Sequence, residues 1–502
     1  MTLRKLLLCS VFPASMLFGN SALAQTVIDA DQATPITTSV DGDVTINAGV
    51  TAGPADGTAG TVVTIDSSNT VINNGAITVL NADNSIGVDL QSGNSGEFQN
   101  TGEIQLIEDF AAEDIDGDGL LDGSFAEGIG RTGILISGSN TFTGNVDQSG
   151  SVAVEGNDSF AVRLLEAAVL TGDITNAGAI SVLGDNARGI SLEGNVTGDV
   201  TNTGTINTTG AGASAITSAG VVAGQINNSG FISNTGYRFA TRSTLALREA
   251  LDEDDLLQAG SAIQVNGDVS NGVFLQQLVT TSPVLDADGN PTTDEDGNEV
   301  TTTSITRSSV TQSGSAPAVL IDGDGTPIAI GIVASITDPN DENFVEAEQF
   351  AFVNQGDLTA SGIFDDISAT GLEVRDATLQ NGINNTGIIT VSTFRSGVAV
   401  GETSGTAPTT TGAARVIVLG SNAIADSINN SGVILANSSE ATDLVFANPE
   451  NVLSPREVTA IAIDIDSTAQ TTELINSNSI TCLLYTSPSP RDQRGSRMPS
   501  SA

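Results

Sequence analysis

The chain has 502 residues, of which 60 are acidic and 16 basic, for a formal charge of −44, and it contains no histidine and no tryptophan. With 55 glycines and only 4% aromatic residues, large side chains cannot fill the thick core of a mixed globular enzyme. The absence of histidine excludes Ser-His-Asp and Cys-His machinery and any imidazole metal site, and the acidic balance opposes binding to nucleic acid or anionic membranes.

Residues 1–24 read as a secretory signal. Arg4 and Lys5 precede an apolar run from Leu6 to Phe18, and Ala22-Leu23-Ala24 supplies small residues for cleavage after Ala24. The run is too short to span a bilayer, and no later stretch is apolar enough for a helical span, so export is expected. At the other end, residues 482–502 combine Pro and Arg without strand periodicity and resemble translated sequencing-adapter sequence. They are expected to be a non-native tail, with the natural protein continuing past residue 481. Without both ends, 11 basic and 59 acidic residues remain, a net of −48, and residues 25–481 hold no cysteine and no lysine.

Between these ends one phrase recurs: Asn73-Asn74-Gly75-Ala76-Ile77, Asn100-Thr101-Gly102-Glu103-Ile104, Asn176-Ala177-Gly178-Ala179-Ile180, Asn202-Thr203-Gly204-Thr205-Ile206 and Asn228-Ser229-Gly230-Phe231-Ile232, with later copies at 354–358, 385–389 and 430–434. Gly75 and Gly102 lie 27 residues apart, and Gly178, Gly204 and Gly230 lie 26 apart. Each repeat holds three short stretches of alternating apolar and small polar residues, separated by Gly and Asn that tolerate corner conformations. An antiparallel sandwich of Asn-Gly hairpins has no reason to keep this period with the same following Ile. The expected fold is all-β: a right-handed parallel β-helix (β-solenoid) with three strands per coil of ~27 residues, Ile and Val stacking inside and Asn laddering at a corner. One coil cannot bury its own apolar face, so stability accrues through neighbours.

Three segments depart from the repeat. Residues 114–122 read Asp-Ile-Asp-Gly-Asp-Gly-Leu-Leu-Asp, with carboxylates at alternate positions around glycines, the logic of a calcium loop. The candidate metal ligands are Asp114, Asp116, Asp118 and Asp122, and the alternative is a cation-free acidic turn. The loop resembles EF-hand-like and thrombospondin-repeat sites but has Phe125 at the twelfth position, so no EF-hand helix pair is inferred. Residues 240–258 predict a short amphipathic helix leaving the coil. Residues 278–310 predict a Thr-rich excursion with turn formers at Asp288-Gly289 and Asp296-Gly297. Such insertions map to the solenoid wall, where partners often bind.

The signal, the cysteine-free body and the Asn-x-Gly-x-Ile phrases resemble the passenger domains of proteobacterial autotransporters over most of residues 25–481. The resemblance implies display at the outer-membrane surface through a carboxy-terminal β-barrel outside this sequence, and a role as an adhesin or other contact factor toward a cell surface, polysaccharide or protein ligand. No catalytic residue and no cofactor beyond calcium is predicted, and a non-catalytic structural or adhesive role is expected. The alternative is a β-helical polysaccharide lyase or hydrolase using Asp/Glu carboxylates, although wall aromatics are scarce and no Asp pair stands out.

Overall fold

In a computed structural model, the structure describes residues 25–115, 117, 119–239, 241–248, 250–286, 290–294, 299–334, 339–341, 344–395, 412–440 and 459–485. The chain winds into a parallel β-helix whose wall is three sheets of 14, 12 and 12 strands. In one coil, Ile174–Asn176 lies in the first sheet, Ala179–Leu183 in the second and Arg188–Leu192 in the third, before Val200–Asn202 stacks on Ile174–Asn176. The pairings Ile174 with Val200, Ile180 with Ile206 and Ile190 with Ile216 show the 26-residue period as parallel register. Three coils add a fourth element: Thr141–Thr143, Val169–Thr171 and Asn195–Val196 form a small sheet between the third and first walls.

Alternation explains the interior. Ile104, Val152, Ile180, Ile206 and Ile232 form one inward column at 2% exposure or less, while the residues between them face outward. Each such side chain contributes about 1.5–3 kcal/mol by leaving water. The columns merge into one cluster running from Ile36 to Ala462.

The corner between the first and second sheets carries the recurring phrase, and there the Asn side chains form the expected ladder. Asn73 Nδ2 donates to Asn100 Oδ1, Asn176 to Asn202 and Asn202 to Asn228, all at 2.7 Å. The ladder resumes from Asn354 through Asn385 and Asn430 to Asn476, again at 2.7 Å. Leu275 takes the rung between Asn228 and Asn354. The phrase glycine is required by close approach, since a Cβ on Gly204 would sit 2.0 Å from the carbonyl oxygen of Gly178 in the previous coil.

One rung is defective. Gln148 replaces Asn and accepts from Asn100, but its amide nitrogen turns to the carbonyl of Ala179 at 3.4 Å, leaving the buried Asn176 Oδ1 with no hydrogen-bond partner. Gln148→Asn is expected to close the ladder and stabilise by about 1 kcal/mol. A urea midpoint that stays put or falls would show that the longer amide is the better fit.

The excursions differ from expectation in detail. Among the described residues of 240–258 there is one helical turn, Leu245–Arg248, within an irregular strap, in place of the expected helix. A four-residue turn barely exceeds a helix nucleus, and here tertiary contacts shape the segment. Tyr237 packs against Ile363 and Phe364, with Phe239, Leu251, Leu256 and Ile367 around them. Within residues 278–310, Leu278–Pro283 pairs antiparallel with Thr301–Thr306 as an arm, and the solenoid resumes at Ser309. Asp288, Gly289, Asp296 and Gly297 lie outside the described residues. An excursion that sequence periodicity did not single out separates Ile328–Ile330 from Phe352–Asn354 and builds a small cluster of Phe274, Val333, Phe350 and Val353.

At the far end, Ser479–Tyr485 pairs in register with Val433–Glu440 as far as Tyr485. The pairing thus runs four residues beyond the boundary expected at 481, as an unpaired strand edge can template extended chain of any sequence. Residues 1–24 and 486–502 lie outside the described residues, and among the described residues no helix is long and apolar enough to cross a membrane.

Candidate functional site at the decorated corner

The corner from second to third sheet is tight in ordinary coils, where Asn84 and Asn186 adopt positive φ of 51° and 54°. Longer connections join the same two sheets between Glu103–Ile107 and Thr132–Ser137, between Phe231–Thr235 and Ile263–Val265, between Ile388–Arg395 and Ala413–Leu419, and between Val433–Glu440 and Thr459–Ile465, and residues 396–411 and 441–458 of the last two lie outside the described residues. Two of these are largely described, the acidic loop 108–131 and the strap 236–262, and they meet.

The acidic loop is anchored by an arginine. Arg131 is 2% exposed, and its guanidinium donates to the carbonyls of Ala82 and Glu155 and pairs with Glu108 at 2.9 Å and Asp83 at 3.5 Å. Glu108 in turn accepts the backbone N–H groups of Glu127 at 2.7 Å and Gly128 at 2.8 Å. These groups floor an open cleft of about 510 Å³ whose walls include Asn81, Asp109 and Phe110. The Glu108 carboxylate is therefore held in place by donors from three residues rather than presented to solvent.

Of the four predicted metal ligands, Asp114 and Asp122 lie among the described residues. Asp114 accepts the N–H groups of Gly117 at 2.7 Å and Gly119 at 3.1 Å. Asp116 and Asp118 lie outside the described residues. Asp122 accepts the Ile115 N–H and stands with Asp252 and Asp254 of the strap, carboxylate oxygens within 4.8 Å of one another. Asp254 also accepts the Gly123 N–H at 2.5 Å, and Arg238 donates to the carbonyls of Asp122 and Gly123 while lying 4.6 Å over the Phe125 ring. A hydrogen bond between the carboxyls of Asp252 and Asp254 raises the pKa of Asp252 and lowers that of Asp254. Such crowding of carboxylate oxygens is what a hard cation relieves.

At its other flank the strap is clasped to the strand Asp357–Asp365. Tyr237 OH donates to the Gly362 carbonyl at 3.3 Å, Arg242 donates to Ile363 O at 2.8 Å and pairs with Asp365, and Arg242 lies 4.1 Å over the Phe394 ring. In the second sheet the strands Glu103–Ile107 and Asp357–Asp365 are six steps apart, so the strap ties coils separated by ~29 Å along the axis. Burial pushes the Tyr237 hydroxyl up to about 12 from its ordinary 10.0. The folded pKa is raised, so this contribution is fully present below pH 10 and is lost as pH rises toward 12. Alkaline titration is expected to release the strap in that window, seen as delayed tyrosinate absorbance with simultaneous protease sensitivity near residue 250. Ionisation at the ordinary pH with no opening would contradict the burial argument.

Asp252, Asp254, Arg131 and Glu108 escaped the sequence reading as site residues. The acidic run 252–255 was visible, but nothing local brings it to Asp122, 130 residues earlier. Comparison of the chain with family models, with curated proteins and with solved structures finds no match.

Proposed function

We propose that the chain is a surface-displayed structural and adhesive stalk of the autotransporter-passenger kind that acts by contact rather than by catalysis. The observation that carries this reading is that the acidic loop 108–131 and the strap 236–262 leave a repetitive solenoid at the same corner and meet there. Two insertions that meet at one edge make a contact surface, while the coils supply length and stiffness. The leader-like residues 1–24 and the acidic body are in keeping with export and with a cell-surface, polysaccharide or protein ligand rather than nucleic acid.

The test replaces residues 108–131 by the tight corner 184–187 and measures adhesion of beads carrying each chain to bacterial cells and to immobilised polysaccharides. Loss of adhesion with an unchanged β-sheet spectrum is expected. Adhesion independent of the corner segments, or release of uronate or reducing ends from polysaccharide, would overturn the reading.

Within this reading calcium is assigned to Asp122, Asp252 and Asp254, joining loop to strap, rather than to the loop alone. Calorimetric titration is expected to show uptake by the intact chain that Asp252→Asn with Asp254→Asn abolishes. Uptake lost instead in Asp116→Ala with Asp118→Ala would return the ion to the loop, and no uptake by the intact chain would remove it.

A further inference from the structure

The arm formed by Leu278–Pro283 and Thr301–Thr306 stands off the wall with every residue of both strands exposed. Residues 278–285 and 300–306 contain no charge, in a chain of net charge −44. Yet Val279, Leu285 and Ile305 are 52%, 54% and 58% exposed. An isolated two-stranded hairpin is marginal in water, and an unblunted strand edge seeks a partner.

The hydrogen bonding decides which edge is open. Val284 N–H donates to Val300 O at 2.8 Å and Val300 N–H to Thr292 O at 2.8 Å, so Val300 turns both backbone groups toward the inside of the arm, and by antiparallel alternation Thr302, Ser304 and Thr306 also point theirs inward. Thr301, Thr303 and Ile305 therefore turn their N–H and C=O groups to the free edge. The opposite edge is weakened, because Pro283 at the equivalent outward position has no N–H.

We propose that the arm is a self-association element, in which Thr301–Thr306 pairs antiparallel with the same strand of a second copy, with Thr303 on the two-fold axis. This register joins the most outward groups: Thr301 faces Ile305 of the other copy, Thr303 faces its counterpart, and Ile305 faces Thr301. It then brings Glu299 opposite Arg307 of the other copy, twice by symmetry. Arg307 stands at the foot of the arm with its side chain 40% exposed, near its own Asp357 at 3.4 Å. A foreign strand would satisfy the same backbone edge but would lack this reciprocal charge match. The resulting four-stranded sheet carries Val279, Leu285 and Ile305 of both copies on one face, and its pairing line holds no charge inside the Glu299–Arg307 pairs, so the acidic bodies meet where repulsion is least. The inference stands on the arm alone and does not depend on the adhesive reading, since it is read out as mass in solution rather than as adhesion.

The test is sedimentation of the full chain at micromolar concentration in ~0.15 M salt, at which the bodies' charge is largely screened. A concentration-dependent dimer is expected. Thr303→Pro removes only an outward N–H, so it should weaken the dimer at least tenfold while leaving thermal unfolding of the solenoid unchanged. Glu299→Arg should weaken it likewise, and adding Arg307→Glu should restore it. A monomer at all concentrations, a dimer unaffected by Thr303→Pro, or a charge swap that restores nothing would each overturn the proposal.

Discussion

Replacing Arg131 with methionine is expected to cost about 3–5 kcal/mol, the usual penalty for stranding the other half of a buried ion pair. The Arg131 side chain is 2% exposed and that of Glu108 8%, so removal of the guanidinium leaves a carboxylate in a poorly hydrated place. It also leaves the carbonyls of Ala82 and Glu155 without their donor. The loss should be local, because each coil contacts chiefly its neighbours. Amide exchange should accelerate first at Glu127 and Gly128, whose N–H groups Glu108 accepts, and proteolysis should begin within residues 108–131. Adding Glu108→Gln removes the stranded charge while keeping an acceptor, so the double variant should recover part of the loss. A double variant no more stable than Arg131→Met alone would mean that packing of the guanidinium, rather than charge pairing, holds the loop.

Gly204→Ala is expected to be nearly as damaging, at about 3 kcal/mol, although it adds one methyl group. The new Cβ would lie 2.0 Å from Gly178 O and 2.7 Å from the carbonyl carbon of Thr203's counterpart, Ala177. Both obstacles are backbone of the adjoining coil, which moves only by breaking the parallel register of that corner. Gly60→Ala is the control: nothing lies within 4 Å of its Cβ and its φ is not in the left-handed region, so it should be neutral or slightly stabilising. Chemical denaturation of the three chains separates the effects. Equal midpoints for Gly204→Ala and Gly60→Ala would show that the corner relaxes, and the close-approach explanation of the recurring glycine would fail.

The repeat was legible because a solenoid writes its structure locally. Asn-x-Gly-x-Ile states at each copy that an amide is stacked, that no Cβ fits and that an apolar side chain turns inward, and the 26-residue spacing of Gly178, Gly204 and Gly230 is the length of one coil. Alternation within five-residue strands was enough to assign which residues are buried. These properties depend on residues that are neighbours along the chain or one period apart.

What escaped has the opposite character. Residues 240–258 have helical periodicity, but a surface segment takes the shape of what it packs on, and Tyr237, Arg242 and Asp365 made it a strap. The carboxylates at 114–122 have the spacing of a loop that closes on itself, and Asp114 and Asp122 do accept its own N–H groups, but that Asp122 also faces Asp252 and Asp254 follows only from the strap crossing the coils that separate them. Arg131 carries no motif of its own in the sequence, and its value comes from burial against Glu108. Composition and period by themselves determined the solenoid, its core and its corner ladder, since each coil repeats the same local physics. Only the tertiary structure decided which excursions share a corner and which charges meet there, because those contacts join residues at separations that follow no period.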